Sequence, residues 1–341
     1  MKSKFTGVIL LFTLFLSAQE ESEKKFTIGG SVDAYFRTNL TGPNEAFEDD
    51  DGSSYFLNPG TSFANRSGFS LGMANVIISY EGEKVGFVAD LVFGPRGEDA
   101  VFLSTGSANI LNQLYAYWNV SDKVRLTLGN FNTFLGYEVI SPVGNFNYST
   151  SYMFSNGPFS HTGLKADFTL SDDFSLLLAV MNSTDYTEIN LDGSYTLGAQ
   201  LGYKDQYLNF IYGNQTGNSE ATFQVDYTGG TDVSDAFFLG INATYNDTDG
   251  SGFYGAALYP KYTISDAFGL GLRGEYFGFH YDGFDDDTVF AATLSANYTI
   301  EDLTIIPELR LDSWSDDTYV NTDFEPTKSL ASFLIAAVYK F

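Results

Sequence analysis

The chain has no cysteine in 341 residues, so disulfides, thiolate metal sites and cysteine nucleophiles are all excluded. Histidine occurs only as His161 and His280. A Ser–His–acid relay needs a nucleophile beside its base, and no motif near either histidine provides one. No metal-ligand cluster and no Gly-rich phosphate cradle stands in for it, so neither catalysis nor a cofactor is expected. Bases are scarce as well: 17 Lys and Arg face 43 Asp and Glu. That sign is wrong for a phosphate backbone, which excludes nucleic acid as a partner. Proline is rare, at 8 residues. Long apolar runs are missing too. Beyond the amino terminus the longest is Phe333 to Tyr339, far short of the roughly 20 residues of a membrane helix.

The amino terminus carries an export signal. Met1-Lys2-Ser3-Lys4 is basic, Val8 to Leu16 is apolar, and Ser17-Ala18 precedes the polar run Gln19 to Lys25. This is the pattern of a secretory signal peptide over residues 1–18, with cleavage expected after Ala18 and a mature domain over 19–341. Leu16 fits the position two before that cut poorly.

Strand-forming residues are abundant: Phe 32, Tyr 23 and Gly 34. From Phe26 onward, segments of about ten residues alternate apolar and polar side chains with a period of two. Turns that are short at one end and long at the other join them. Ile28, Val32, Ala34 and Phe36 share one face of the first segment, with Ser31, Asp33, Tyr35 and Arg37 opposite. In the second, Leu71 and Met73 argue for one parity and Val76 and Ile78 for the other, which predicts a bulge. Thr228 to Asp235 reads as a Gly-rich loop, and Asp247 and Asp249 as loop residues. The count is about sixteen strands in a single domain, each long enough for a tilted bilayer crossing. The fold class expected is all-β: one transmembrane antiparallel barrel with short periplasmic turns, long extracellular loops and both termini periplasmic. The closing strand ends on Phe333, Ile335, Ala337, Tyr339 and Phe341 along one face. It resembles the terminal strand that the outer-membrane insertion machinery reads, through Tyr339 and Phe341.

Periodicity alone fits a soluble barrel equally well, with charges outside. The export signal and the aromatics at strand ends favour the inverted arrangement, apolar side chains on lipid and polar ones on a water-filled lumen. The lumen-facing set is then Asp33, Arg37, Asp90, Arg125, Lys165, Asp167, Lys261, Arg273, Glu275, Glu308, Arg310 and Asp312. Acids and bases nearly balance there. Arg273 and Glu275, like Glu308, Arg310 and Asp312, stand two residues apart, so each group forms either a ladder of wall ion pairs or a transverse field across the pore. The long segment Asn132–Phe159 either folds inward or caps the mouth. Folded inward, it would line a constriction with Tyr137, Glu138, Asn145 and Asn147. The acidic runs Glu48 to Asp51, Asp285 to Asp287 and Asp316-Asp317 read as solvated loops, or as carboxylates bridged by divalent cations to lipopolysaccharide. None has calcium-loop spacing.

Three stretches carry a family resemblance: Gly30-Ser31-Val32-Asp33-Ala34-Tyr35-Phe36, Leu272-Arg273-Gly274-Glu275-Tyr276-Phe277, and the final Tyr339-Lys340-Phe341. With them the chain resembles the OmpL-like outer-membrane β-barrel porins of Gram-negative bacteria. The resemblance implies a passive diffusion channel for small hydrophilic solutes, with Asp33, Arg273 and Glu275 in the lumen. The alternative is a plugged barrel acting as surface receptor, adhesin or structural anchor, with Tyr148, Tyr152 and Phe154 serving that role. Lipid and lipopolysaccharide are the expected surroundings. A homo-oligomer is open, because no patch stands out from a uniformly apolar exterior.

Overall fold

The computed structural model describes residues 25–48, 52, 54–216, 218 and 220–341. The expected leader and the acids Asp49 to Asp51 lie outside them. Sixteen strands form the wall: β1 (Lys25–Asn39), β2 (Gly68–Glu81), β3 (Val85–Phe93), β4 (Leu111–Ser121), β5 (Val124–Asn132), β6 (Ser160–Thr169), β7 (Phe174–Met181), β8 (Thr196–Tyr203), β9 (Gln206–Asn214), β10 (Ala221–Ser234), β11 (Phe237–Thr248), β12 (Ser251–Ser265), β13 (Phe268–His280), β14 (Asp287–Ile300), β15 (Leu303–Trp314) and β16 (Ser329–Lys340). Each pairs antiparallel with the next, and β1 pairs with β16 to close the barrel. Closure leaves no sheet edge unpaired, which is how a chain without disulfides satisfies its backbone inside a bilayer.

The seam is built tightly. Val32 faces Tyr339 and Phe36 faces Ile335. Gly30 and Phe341 then exchange two backbone hydrogen bonds of 3.0 Å each. A side chain at Gly30 would strike the Asn75 carbonyl and the Phe341 ring, so this close approach requires glycine.

The two faces separate as the alternation requires. Ile28, Val32, Leu128, Leu197, Leu258 and Leu294 point outward and are exposed, while Ser31, Asn75, Asp226, Thr293 and Ser332 point inward and are buried. Tyr80 stacks on Phe87, and Phe174 lies against Tyr203, in an outer aromatic belt near the short turns.

The bulge expected in β2 is present. Pairing with β1 shifts between Val32 and Ala34, so that Gly72 and Met73 together oppose Asp33. Leu71 is 69% exposed and Met73 3%, so the parity changes between these two residues, which the sequence reading places on one face, and not between Met73 and Val76. Asp33 Oδ1 accepts the freed Met73 N–H at 3.1 Å.

Two loop expectations are corrected. Thr228 to Ser234 continues β10, and only Asp235 and Ala236 turn the chain into β11. Its glycines serve close packing instead: space beside Gly230 takes the Phe238 ring, and space beside Gly229 takes the Gln206 amide. Asp247 and Thr248 lie in β11, which turns at Asp249 and Gly250 straight into β12.

The long connections carry short helices, α1 (Pro95–Ala100) and α2 (Tyr152–Asn156). At the long-loop mouth Phe63, Met73, Val92, Ile140, Phe154 and Phe159 form an apolar cluster inside the barrel.

Candidate permeation site

The segment Thr133–Phe159 has little regular structure, so its backbone groups need partners elsewhere. It finds them on the barrel wall. Phe134 accepts from Gln200 on β8, and the Gly136 N–H reaches Asp226 on β10 at 2.9 Å. Tyr137 stacks on Tyr259 of β12, ring centres 4.2 Å apart. The chain then descends to Pro142–Asn145, beside Asn297, Thr299 and Thr304 near the short turns. On the way back Tyr148 and Ser149 donate to Glu308, the first at 3.0 Å. Tyr152 and Met153 donate to Glu275 at 2.9 and 2.8 Å. The carbonyls of Ser149, Thr150 and Ile140 accept from Arg273, Arg310 and Arg96. Wall carboxylates therefore hold the segment by its N–H groups, and arginines hold it by its carbonyls.

Side chains complete the anchoring. Glu138 pairs with Arg273 at 2.6 Å and also accepts the Ser151 N–H at 2.8 Å. Asn147 donates to Ser295 at 2.7 Å, and the Tyr148 hydroxyl donates to Asp33. Asn145 instead bonds the Val139 backbone, stiffening the segment's own tip. Arg310 pairs with Asp312 at 2.8 Å. Arg96, from α1, lies between the rings of Phe63 and Tyr148 at 4.4 and 5.1 Å.

The lumen-facing candidates fall into two groups. Asp33, Arg37, Asp90, Arg273, Glu275, Glu308, Arg310 and Asp312 point inward and are buried, Arg273 and Glu275 at 0% exposure. The ladder expected along one strand forms only in part: Arg273 pairs with Glu138 of the inserted segment rather than with its neighbour Glu275. The expected transverse field likewise has no open water to act across at this level. Arg125, Lys165, Asp167 and Lys261 occupy the inner wall nearer the short turns, where Lys165 pairs with Asp167 at 3.0 Å and Lys261 lies over the Phe238 ring at 4.3 Å.

Around the inserted segment the inward residues are buried: Asn75 on β2, Asn112 on β4, His161 on β6, Asn209 on β9, Asn242 on β11 and Ser295 on β14. The segment fills the bore on that side, while Gln113, Tyr115, Lys165 and Gln200 stay partly exposed on the inner wall. Towards the short turns the lumen opens into cavities of about 560, 350 and 200 Å³. Sequence reading missed Arg96 and Asn209. Arg96 sits on a loop, where period two gives no signal; the alternation of β9 was enough to place Asn209.

Asp185, between β7 and β8, fixes the segment's far end by accepting the N–H groups of Phe159 at 2.6 Å and Ser160 at 3.0 Å. Desolvation pushes its carboxyl up to about 6 against those two bonds.

Solved structures share this architecture. The chain is similar to the outer-membrane channel DcaP of Acinetobacter baumannii, with TM-score 0.60, 13% identity, and coverage of 94% of this chain and 99% of that one. It is equally similar to the anion-selective porin from Comamonas acidovorans, with TM-score 0.60, 10% identity, and coverage of 94% and 100%. OmpT of Vibrio cholerae aligns with TM-score 0.53, 11% identity, and coverage of 95% and 99%. At such identities the likeness speaks to the fold. No curated protein sequence matches the chain. Residues 25–341, however, match the model of the family described as "Putative beta-barrel porin-2, OmpL-like", and the chain belongs to that family of outer-membrane porins, channels for small solutes.

Proposed function

We propose that small hydrophilic solutes diffuse passively through this barrel and that the Thr133–Phe159 segment controls their passage. The observation that carries this reading is a closed sixteen-strand wall, apolar outside and polar inside, with a largely irregular segment held in its bore by polar contacts. Irregular backbone at membrane depth is tolerated where it lines a cavity inside protein. The leader over 1–18 is removed on export, and both termini face the periplasm with the short turns. Tyr339 and Phe341 present the terminal strand to the insertion machinery, and exposed acids of the outer loops meet lipopolysaccharide through divalent cations. Strands β5 to β9 run 8–10 residues against 12–15 for β10 to β16, so this side of the wall is low. It bears an apolar outer groove lined by Leu164, Leu178, Val180, Leu197 and Phe210, and we assign the contact in a homo-oligomer to it. A neighbouring structure, OmpT, is described in a trimer form.

Planar-bilayer recording of the refolded chain tests the channel. Discrete conductance steps are expected; stable insertion without steps defeats it. The segment filling one side of the bore favours one second reading, a plugged barrel serving as receptor, adhesin or anchor. Swelling of liposomes in sugars of graded size separates the two, since only a channel admits the small sugars.

A further inference from the structure

A cavity of about 560 Å³ inside the barrel lies between β4, β5 and β6 and opens at the short-turn end. That volume suits a small organic solute. Its inner wall brings together Arg125, Lys165, Asp167, Tyr115, Tyr117 and Thr127. Asn119 and Asp167 are the strand partners of Arg125 on either side, and Tyr117, Thr127 and Lys165 form the next rung inward, two residues or about 7 Å along the strands.

Arg125 is placed unlike the other inward arginines. Arg273 and Arg310 are consumed by carboxylates and by the inserted segment. Arg125 faces Asp167 in register, yet both Asp167 oxygens go to Lys165, at 3.0 and 3.2 Å. Its guanidinium turns the other way, donating Nε to Asn119 at 2.8 Å and lying 4.4 Å over the Tyr117 ring. The two terminal nitrogens have no protein partner among the described residues. They form a planar fork, held by an aromatic face and turned into a cavity, which is the geometry that recognises a carboxylate.

Charge narrows the class. Arg125, Lys165 and Asp167 sum to one positive charge, and Glu83, Asp122 and Lys123 on the same lining bring the total to neutral. Arg125 itself has no carboxylate partner among the described residues, and one such cation suits a monoanion. The surrounding hydroxyls and tyrosine rings suit a polyhydroxylated body with an apolar C–H face.

We propose that this cavity is a binding subsite for small hydroxylated monocarboxylates of the sugar-acid type, with Arg125 holding the carboxylate and Tyr117 supporting Arg125. The inference names the solute class of the channel proposed above, but the site itself is read by equilibrium binding. Isothermal titration of the refolded full-length chain in detergent with D-glucuronate and D-glucose compares two solutes that differ by the carboxylate. Saturable binding of glucuronate alone is expected, about 10- to 100-fold weaker in Arg125→Gln and intermediate in Arg125→Lys, which keeps the charge and loses the fork. Lys204→Gln removes another tyrosine-stacked cation at the same end and leaves binding unchanged. Equal behaviour of the two sugars, absence of saturable glucuronate binding, or an Arg125→Gln variant that binds like the parent overturns the site. Conductance recorded on the same preparation is a separate readout: steps without glucuronate binding sink the site alone, and binding without steps sinks the channel alone.

Discussion

Asp33 shows how much one carboxylate does inside this wall. It takes the N–H that the β2 bulge frees at Met73 and also receives the Tyr148 hydroxyl, so it fixes both the wall and the inserted segment. A side chain on Gly72 would overlap its carboxylate, which is why glycine stands there. Asp185 does the corresponding work outside the strands. Its folded value of about 6 lies above its ordinary 3.8, so the folded state binds the proton more tightly than the unfolded one. Its contribution therefore grows as pH falls from about 6 towards 4 and is lost as pH rises through 6. Amide exchange, corrected for intrinsic rates, should show Phe159 and Ser160 better protected at pH 5 than at pH 7. Asp185→Asn should flatten that difference while keeping an oxygen acceptor. Equal protection at the two pH values would remove Asp185 as the titrating anchor.

Among the elements, the inserted segment matters most, and it was the least legible. The strands could be read because lipid on one side and polar groups on the other impose a period of two, which placed Asp33, Arg273, Glu275 and Arg310 on the inner face. Nothing of the kind marks Thr133–Phe159. Its path depends on contacts more than 100 residues apart in sequence, such as Tyr148 with Glu308 and Tyr152 with Glu275. Composition showed the wall charges but not that the segment's own backbone would satisfy them. Gly229 and Gly230 misled for the same reason: they make room for the Gln206 amide and the Phe238 ring, and a glycine pair looks like loop sequence. The Arg273–Glu138 pair is the place to loosen the segment. Removing Arg273 leaves Glu138 buried without its cation, a loss of about 3–5 kcal/mol to the closed packing. In bilayers Arg273→Ala should open more often and to larger steps, with reversal potentials shifted towards cations. Adding Glu138→Gln should restore part of the closed behaviour, because the stranded charge is then gone. Unchanged gating in the single variant would mean the pair does not hold the segment in place.

The whole molecule is a wall of unequal height around a partly filled bore. A bilayer crossing takes about 9–11 tilted residues. Strands β7 and β8, at 8 residues each, fall just short of it, whereas β12 has 15 and β14 has 14. A low wall facing lipid forces the bilayer to thin, a mismatch that association relieves. The low side also carries the apolar groove of about 570 Å³ around Leu178 and Leu197. A chain without native cysteine makes the contact directly testable. Leu178→Cys places a thiol on the low wall and Leu294→Cys places one on the tall wall, both pointing outward and about half exposed. Under mild oxidation in native-like membranes the first should give a disulfide-linked dimer band on unboiled and boiled gels alike, and the second should stay monomeric. Equal cross-linking at both positions would mean random encounter in the bilayer. Cross-linking at Leu294 alone would move the interface to the tall side and leave the short strands facing lipid.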